Sequence, residues 1–231
     1  MTISRFGSAV LAILVMTAAG QAGAAEPGPA EKARIDQAVK AYADRIESDH
    51  SKEIDQRIAN AADKLNADPA SPVIGNPNGD VTIVEFFDYA CPYCKAVEPR
   101  LEALVKSDGH VKLVLKEFPI LTPASMVATK AALASVRRGK YRQFHQAMMR
   151  FEGQLQDSDI FDTAKSVGLD VARLRKDMEA PEITAQIIAN FNLARSIRAF
   201  QTPTFIAANH ELSSTSASID FPQVVAAARG K

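Results

Sequence analysis

Tryptophan is absent, and only two cysteines occur in 231 residues. Two cysteines cannot build a multiply cross-linked scaffold, so the fold must rest on an ordinary apolar core. Nor can they supply a structural zinc site, which needs four ligands, commonly two cysteine pairs or one pair with two closely spaced histidines. The four histidines, His50, His110, His145 and His210, are scattered singly, and none is assigned a role. Excess charge of either sign is also missing, because 27 Lys and Arg balance 27 Asp and Glu. That removes the electrostatic ground for binding nucleic acid or an acidic membrane surface. Beyond the N-terminus no segment is apolar enough to span a bilayer. Internal repeats and low-complexity tracts are not found.

What remains is a globular composition, 47% hydrophobic and 23% charged. It is enough for one good core and an extra subdomain. Residues 1–25 form the three-part pattern of a secretory signal peptide: Arg5, then the short apolar run "AVLAILVM", then small residues with cleavage expected after Ala24 or Ala25. The alternative is an uncleaved membrane anchor. Cleavage yields a soluble, exported and periplasmic protein in an oxidising compartment, where cysteines can pair.

Residues 26–66 read as a charged amphipathic helix. Ile35, Val39, Tyr42 and Ile46 keep a heptad-like seam, which lapses at "SDHSKE" and resumes in a shifted register at Ile54, Ile58, Ala61 and Leu65. The lapse reads as a stutter or a hinge. Two roles compete: a helix folded onto its own domain, or a stalk for homo-oligomerisation through residues 31–66. Residues 67–80, rich in Pro, Gly and Asn, are expected to be a linker. Residues 81–121 read as strand, helix, strand: "VTIVEFF", then a helix opening at "CPYC" and containing Pro99, where a kink is expected, then "HVKLVLKEFPI". That order implies a parallel pair joined by a right-handed crossover. Lys116 and Glu117, ending the second strand, are read as solvated. Residues 122–199 are almost wholly helical and form an inserted subdomain, with breaks near "RRGK", "EGQLQDSD", "SVGLD" and "EAPE". Residues 200–231 return to strand at "TPTFIAANHEL" and close on a short helix.

The two cysteines, Cys91 and Cys94, are separated by two residues. A loop this short removes little chain entropy, so a structural staple gains little. Redox chemistry and binding of a soft metal such as Cu(I) by two thiolates both remain. Placement favours redox. Cys91 falls where a strand meets a helix, and the free N–H groups and dipole of a helix start stabilise a thiolate. Pro92 suits the first helical turn, having no N–H to leave unsatisfied. Cys94 lies one turn deeper. Cys91 is therefore the expected nucleophile and Cys94 the resolving thiol. Glu85 is a carboxylate in an apolar strand, costly there unless protonated, hydrated or functional; an edge position facing water is the alternative.

"EFFDYACPYC", the long helical stretch and the late "TPTF" together resemble the DsbA group of the thioredoxin superfamily over about residue 73 to the C-terminus. With the signal peptide and charged helix added, the chain looks most like the suppressor-of-copper-sensitivity C (ScsC-like) proteins. The resemblance implies an α/β thioredoxin fold with an inserted helical subdomain, preceded by the N-terminal amphipathic helix. It implies a redox-active Cys91–Cys94 disulfide with no other cofactor, and Glu85 as the buried acid that helps move the Cys94 proton. It also implies a cis Pro203 opposite the disulfide, with Thr202, Pro92 and Tyr93 facing the substrate. Tyr93 stands where the strongest oxidants of the group have histidine. A neutral phenol stabilises a thiolate less than a cation, so a less oxidising pair is expected. "IAANHEL" lacks the glycine usual in that turn, which leaves the hairpin geometry open. The implied partners are exported cysteine-containing clients and a membrane redox partner. Isomerase or reductase is the favoured activity, with a DsbA-like oxidase and a copper-tolerance protein as alternatives.

Overall fold

The computed structural model describes residues 27–212 and 218–230. The expected signal peptide, 1–25, lies outside them. The chain divides into two units, Met1–Glu53 and Ile54–Lys231.

Among its described residues the first unit is helical nearly throughout. Helix α1 (Pro29–Asn60) runs unbroken through "SDHSKE", so the seam shifts register without a break in the backbone. Glu31 in its first turn and Arg57 in its last complement the helix dipole. Lys40 pairs with Asp44 one turn on, at 2.9 Å. Ile35, Tyr42 and Ile46 are exposed.

In the second unit, α1 ends with Ile54 and Ile58 buried, and a short helix α2 (Ala62–Asn66) buries Leu65. The expected linker then contributes a strand, β1 (Val73–Gly75), antiparallel to β3 (Val111–Glu117). Gly75 is required there: its φ is 91°, and a Cβ would stand 2.5 Å from the Val111 carbonyl oxygen. Strand β2 (Val81–Phe87) lies parallel to β3, joined through helix α3 (Pro92–Asp108). Helices α4 (Pro123–Val136), α5 (Tyr141–Met149), α6 (Asp157–Ser166), α7 (Val171–Asp177) and α8 (Pro181–Ser196) form the insertion. The chain returns as β4 (Thr204–Ala207) and β5 (His210–Glu211), both antiparallel to their neighbours, and ends in α9 (Phe221–Ala228). The sheet order is β1-β3-β2-β4-β5.

The β2 sequence is a continuous apolar run because the strand is central and covered on both faces. Strand alternation sends Val84 and Phe86 to one side, with Ile54, Ile58, Leu65, Leu193 and Ile206. It sends Ile83 and Phe87 to the other, with Cys94, Leu101, Phe144 and Phe205. Full burial of each such aromatic contributes roughly 1.5–3 kcal/mol. Glu85, between Ile83 and Phe87, is thereby committed to the face that carries both cysteines.

One sequence expectation is corrected. Lys116 and Glu117 are fully buried rather than solvated. The Lys116 ammonium donates to the Lys64 carbonyl at 2.7 Å, Ser71 Oγ at 2.6 Å and Asp68 Oδ2 at 3.1 Å. These partners lie 45–52 positions away, so no local pattern announces them. Pro99 lies within α3, which continues through it as one helix. The β4–β5 turn forms without glycine by placing Ala208 (φ 50°) and Asn209 (φ 64°) in the left-handed region, the conformation of a tight two-residue hairpin turn.

Candidate active site

Cys91 caps α3. Its backbone is extended (φ −77°, ψ 116°), Pro92 follows at the first helical position, and Cys94 N–H donates to Cys91 Sγ at 3.4 Å. The Cys91 thiol donates to the Thr202 carbonyl at 3.3 Å. The Thr202–Pro203 peptide is cis, and the Cys91 hydrogen bond to the Thr202 carbonyl brings the turn before β4 to the start of α3. Both cysteines are free thiols and both side chains are buried, Cys94 completely.

Their environments push them in opposite directions. The Cys94 thiol, the Thr202 hydroxyl and the backbone N–H groups of Cys94 and Tyr93 all favour the Cys91 thiolate; they outweigh burial and bring its pKa down to about 6. Burial pushes the Cys94 thiol far up, reinforced by its bond to Cys91 and by the charge of Glu85. Tyr93 points outward, 66% exposed, between them. The groups that do most to lower the Cys91 pKa are neutral hydrogen-bond donors, and the Lys95 ammonium adds a positive charge nearby.

Glu85 is completely buried, and neither carboxyl oxygen has a hydrogen-bond partner. Burial above all, then the charges of Glu98 and Cys91, raises its pKa well above the usual carboxylate range. The solvent-facing alternative for Glu85 is thus excluded. Its side chain and Cys94 feel each other electrostatically behind the reactive sulfur.

The turn carrying Cys91 is clasped by Asp88, a residue the sequence reading passed over. Asp88 Oδ1 accepts from Ala90 N–H at 2.7 Å and Ser125 Oγ at 2.6 Å. Its Oδ2 accepts from the N–H groups of Ile120 and Leu121 at 2.8 and 2.9 Å. One carboxylate therefore ties the nucleophile's turn to the entrance of the insertion. Beside it, an open groove of about 690 Å³ runs past Ala90, Thr122, Pro123, Leu155 and Gln156.

A second buried group was also missed. On α3 the inward positions are Cys94, Val97, Glu98, Leu101, Leu104 and Val105, so Glu98 interrupts an apolar stripe one turn beyond Cys94. On α5, His145 interrupts the stripe of Tyr141, Phe144, Met148 and Met149. His145 Nε2 lies 3.4 Å from Glu98 Oε1, and its Nδ1 lies 3.1 Å from the Tyr89 hydroxyl. Tyr89 and Tyr141 donate to Glu117 Oε1 at 3.0 and 2.9 Å, and Thr129 donates to Oε2 at 2.8 Å. Burial raises the Glu117 pKa to about 8 against the pull of these donors. The signal for Glu98 and His145 was available: each is a polar residue at the helical period of a buried face.

Among the described residues no group of three or more His, Cys, Asp or Glu could hold a metal ion, and no helix is long and apolar enough to cross a membrane. A Cu(I) bis-thiolate would need both sulfurs deprotonated, which the buried Cys94 opposes.

Comparison with known proteins places these features in company. The sequence profile of the family described as Thioredoxin matches residues 67–225. A thioredoxin-like oxidoreductase from Silicibacter pomeroyi is 41% identical, with TM-score 0.69 over 73% of this chain and 98% of that one. The catalytic domain of ScsC from Proteus mirabilis is 26% identical, with TM-score 0.68 over 77% of this chain and 99% of that one. A 135-residue stretch, 58% of this chain, is 28% identical to the Na(+)/H(+) antiporter NhaA 1 of Salinispora arenicola, and spans 21% of that protein. The chain thus covers about a fifth of the length of the first curated relatives it matches.

Proposed function

Because the chain belongs to the thioredoxin family, we propose that it is an exported, periplasmic thiol–disulfide oxidoreductase acting on cysteine-containing proteins. The observation that carries this is the opposed perturbation of the two sulfurs: Cys91 near pKa 6 at the helix start, Cys94 buried and held protonated. At pH 7 a thiol with that pKa is roughly nine-tenths thiolate. It attacks a client disulfide, forming a Cys91–client bond and expelling one client thiolate. Cys94 then attacks Cys91, the pair becomes a disulfide, and the client leaves with both its sulfurs reduced. Run backwards, the same steps donate a disulfide.

Within that chemistry, disulfide isomerase or reductase is the reading we favour over dithiol oxidase. Neutral donors do most to stabilise the thiolate, and position 93 between the cysteines holds a phenol rather than a cation, which supports a moderate rather than a strong oxidant. The exposed Ile35, Tyr42 and Ile46 of α1 suit self-association, and several active sites around one cavity can hold a misfolded client. A membrane redox partner would keep the pair reduced. Copper tolerance through the same two thiolates is the weaker reading, since nothing observed adds a third ligand.

The test is a trapping experiment. Cys94→Ala in the exported protein is expected to accumulate mixed disulfides through Cys91 with exported proteins, all reversed by a reducing agent. No adducts, with the protein folded and Cys91 alkylatable, would remove the oxidoreductase reading. The in vivo state of the pair decides direction: mostly reduced for isomerase or reductase, mostly oxidised for oxidase.

A further inference from the structure

The resolving step has a proton to place. Cys94 must lose one before it attacks, yet the nearest carboxyl, Glu85, is itself held in its protonated form by burial and by the charge of Glu98. A protonated acid cannot accept a second proton, so Glu85 alone is an incomplete base.

Resting on the oxidoreductase reading, we propose that Glu98 and His145 form the proton store for Cys94, reached through Glu85. The geometry supplies each part. Glu98 sits one turn beyond Cys94 on the same face of α3, and its Oε2 has no partner; neither do the two oxygens of Glu85. Three buried carboxyl oxygens on the two interacting acids thus lack a protein partner, a costly arrangement unless bridging water or shared protons satisfy them. His145 Nε2 faces Glu98 Oε1 at 3.4 Å and also lacks a hydrogen bond. Its tautomer follows from its other side. The Tyr89 hydroxyl donates to Glu117, so Tyr89 accepts from His145 Nδ1–H at 3.1 Å. The Nε2 lone pair is thereby turned towards Glu98. The ring is fixed in that pose, stacked on Tyr141 at 5.7 Å and edge-on to Phe87 at 5.0 Å.

Through bridging water, the Cys94 proton passes to one oxygen of Glu85 while Glu85 releases its own towards Glu98 and His145. The Cys94 sulfur attacks Cys91, the Cys91–Cys94 bond forms, the Cys91–client bond breaks, and the electron pair leaves on the client thiolate. On reduction of the pair the stored proton returns. The titratable neighbours are Glu85 from β2, Cys91 and Cys94 from α3, Asp88 and Tyr89 from the intervening turn, Glu117 from β3, and Tyr141 from α5. The ammonium of Lys95 adds its charge near Asp88 and Cys91. Glu98 and His145 are positioning residues here, acting on Cys94 only through Glu85.

An aromatic disulfide that releases a coloured thiolate separates the steps. Mixed with the reduced mature protein in a stopped-flow instrument, it yields one equivalent as Cys91 is capped and a second as Cys94 resolves the adduct. Glu98→Gln and His145→Gln keep shape but cannot store the proton. Both are expected to leave the first phase and its pH midpoint unchanged, and to slow the second at least tenfold at neutral pH. Glu98→Asp should restore part of the rate, and Glu85→Gln combined with Glu98→Gln should be no slower than the slower single variant. A wild-type second phase and pH profile in either folded glutamine variant overturns the proposal; circular dichroism reports the fold, and if one variant fails to fold the other decides. Absence of the first phase in the wild type would instead refute the oxidoreductase reading itself.

Discussion

The Cys91 sulfur lies 3.3 Å from the Thr202 carbonyl, so the nucleophile and the residue before the cis proline meet although 111 positions separate them. The Thr202 hydroxyl makes no hydrogen bond of its own and lies where it favours the thiolate. Thr202→Val keeps the carbonyl and removes that donor. The alkylation midpoint of Cys91 should rise from about 6 by roughly one unit, the scale of a single hydrogen bond to a charged group. An unmoved midpoint would assign the whole effect to Cys94 and the backbone.

Redox state and pH should be linked. A thiol whose folded pKa is depressed to about 6 adds stability above its unfolded pKa and loses it as pH falls towards 6. The disulfide form has no such group. Melting temperatures of reduced and oxidised protein should therefore draw in favour of the reduced form as pH climbs from about 5 to 9. A difference independent of pH contradicts this.

Glu85 has the opposite sign. Its folded pKa is raised by burial, so it opposes folding increasingly as pH rises above the unfolded value. Glu85→Leu should stabilise the protein by about 1–3 kcal/mol at neutral pH in urea titrations, with a smaller gain at pH 4, while impairing turnover. A loss of stability at neutral pH would mean that the carboxyl has a stabilising partner.

Lys116→Met removes the ammonium that donates to the Lys64 carbonyl, Ser71 and Asp68 in that buried corner. The cost should be about 2–4 kcal/mol by the same titration, since the acceptors stay behind without their donor.

Ala208 holds a left-handed φ of 50° beside Asn209 at 64°. Asparagine tolerates that region and alanine does not, so Ala208→Gly should gain about 1 kcal/mol, read as a higher melting temperature. An equal or lower melting temperature would mean that the turn relaxes in solution.

The sequence is most readable where burial is two-sided or periodic. "VTIVEFF" delivers β2 at Val81–Phe87 because a central strand needs apolar residues on both faces. The pause at "RRGK" falls between α4 and α5 because Gly139 adopts a positive φ there. The cysteines are readable because a strand-to-helix junction has a fixed electrostatic sign. Glu98 and His145 are readable from the helical period of a buried face. Lys116 and Glu117 are not, because their burial is decided by partners far along the chain and a local window sees only the charge. Strand β1 escapes because three residues among Pro, Gly and Asn carry no period to detect.

The Asp88 clasp has an architectural meaning. The excursion from β3 to β4 leaves at Ile120 and Leu121, held by Asp88, and comes home at Thr202, held by Cys91. Asp88 and Cys91 are themselves joined by a 3.0 Å backbone bond within a single turn. The chain therefore enters and leaves the five-helix insertion within one turn of the nucleophile, while Phe144 and Leu193 seat those helices on the two faces of the sheet. The solvent-facing positions of those helices can change across evolution, and so redirect the choice of client, while their buried faces keep the reactive sulfur in place.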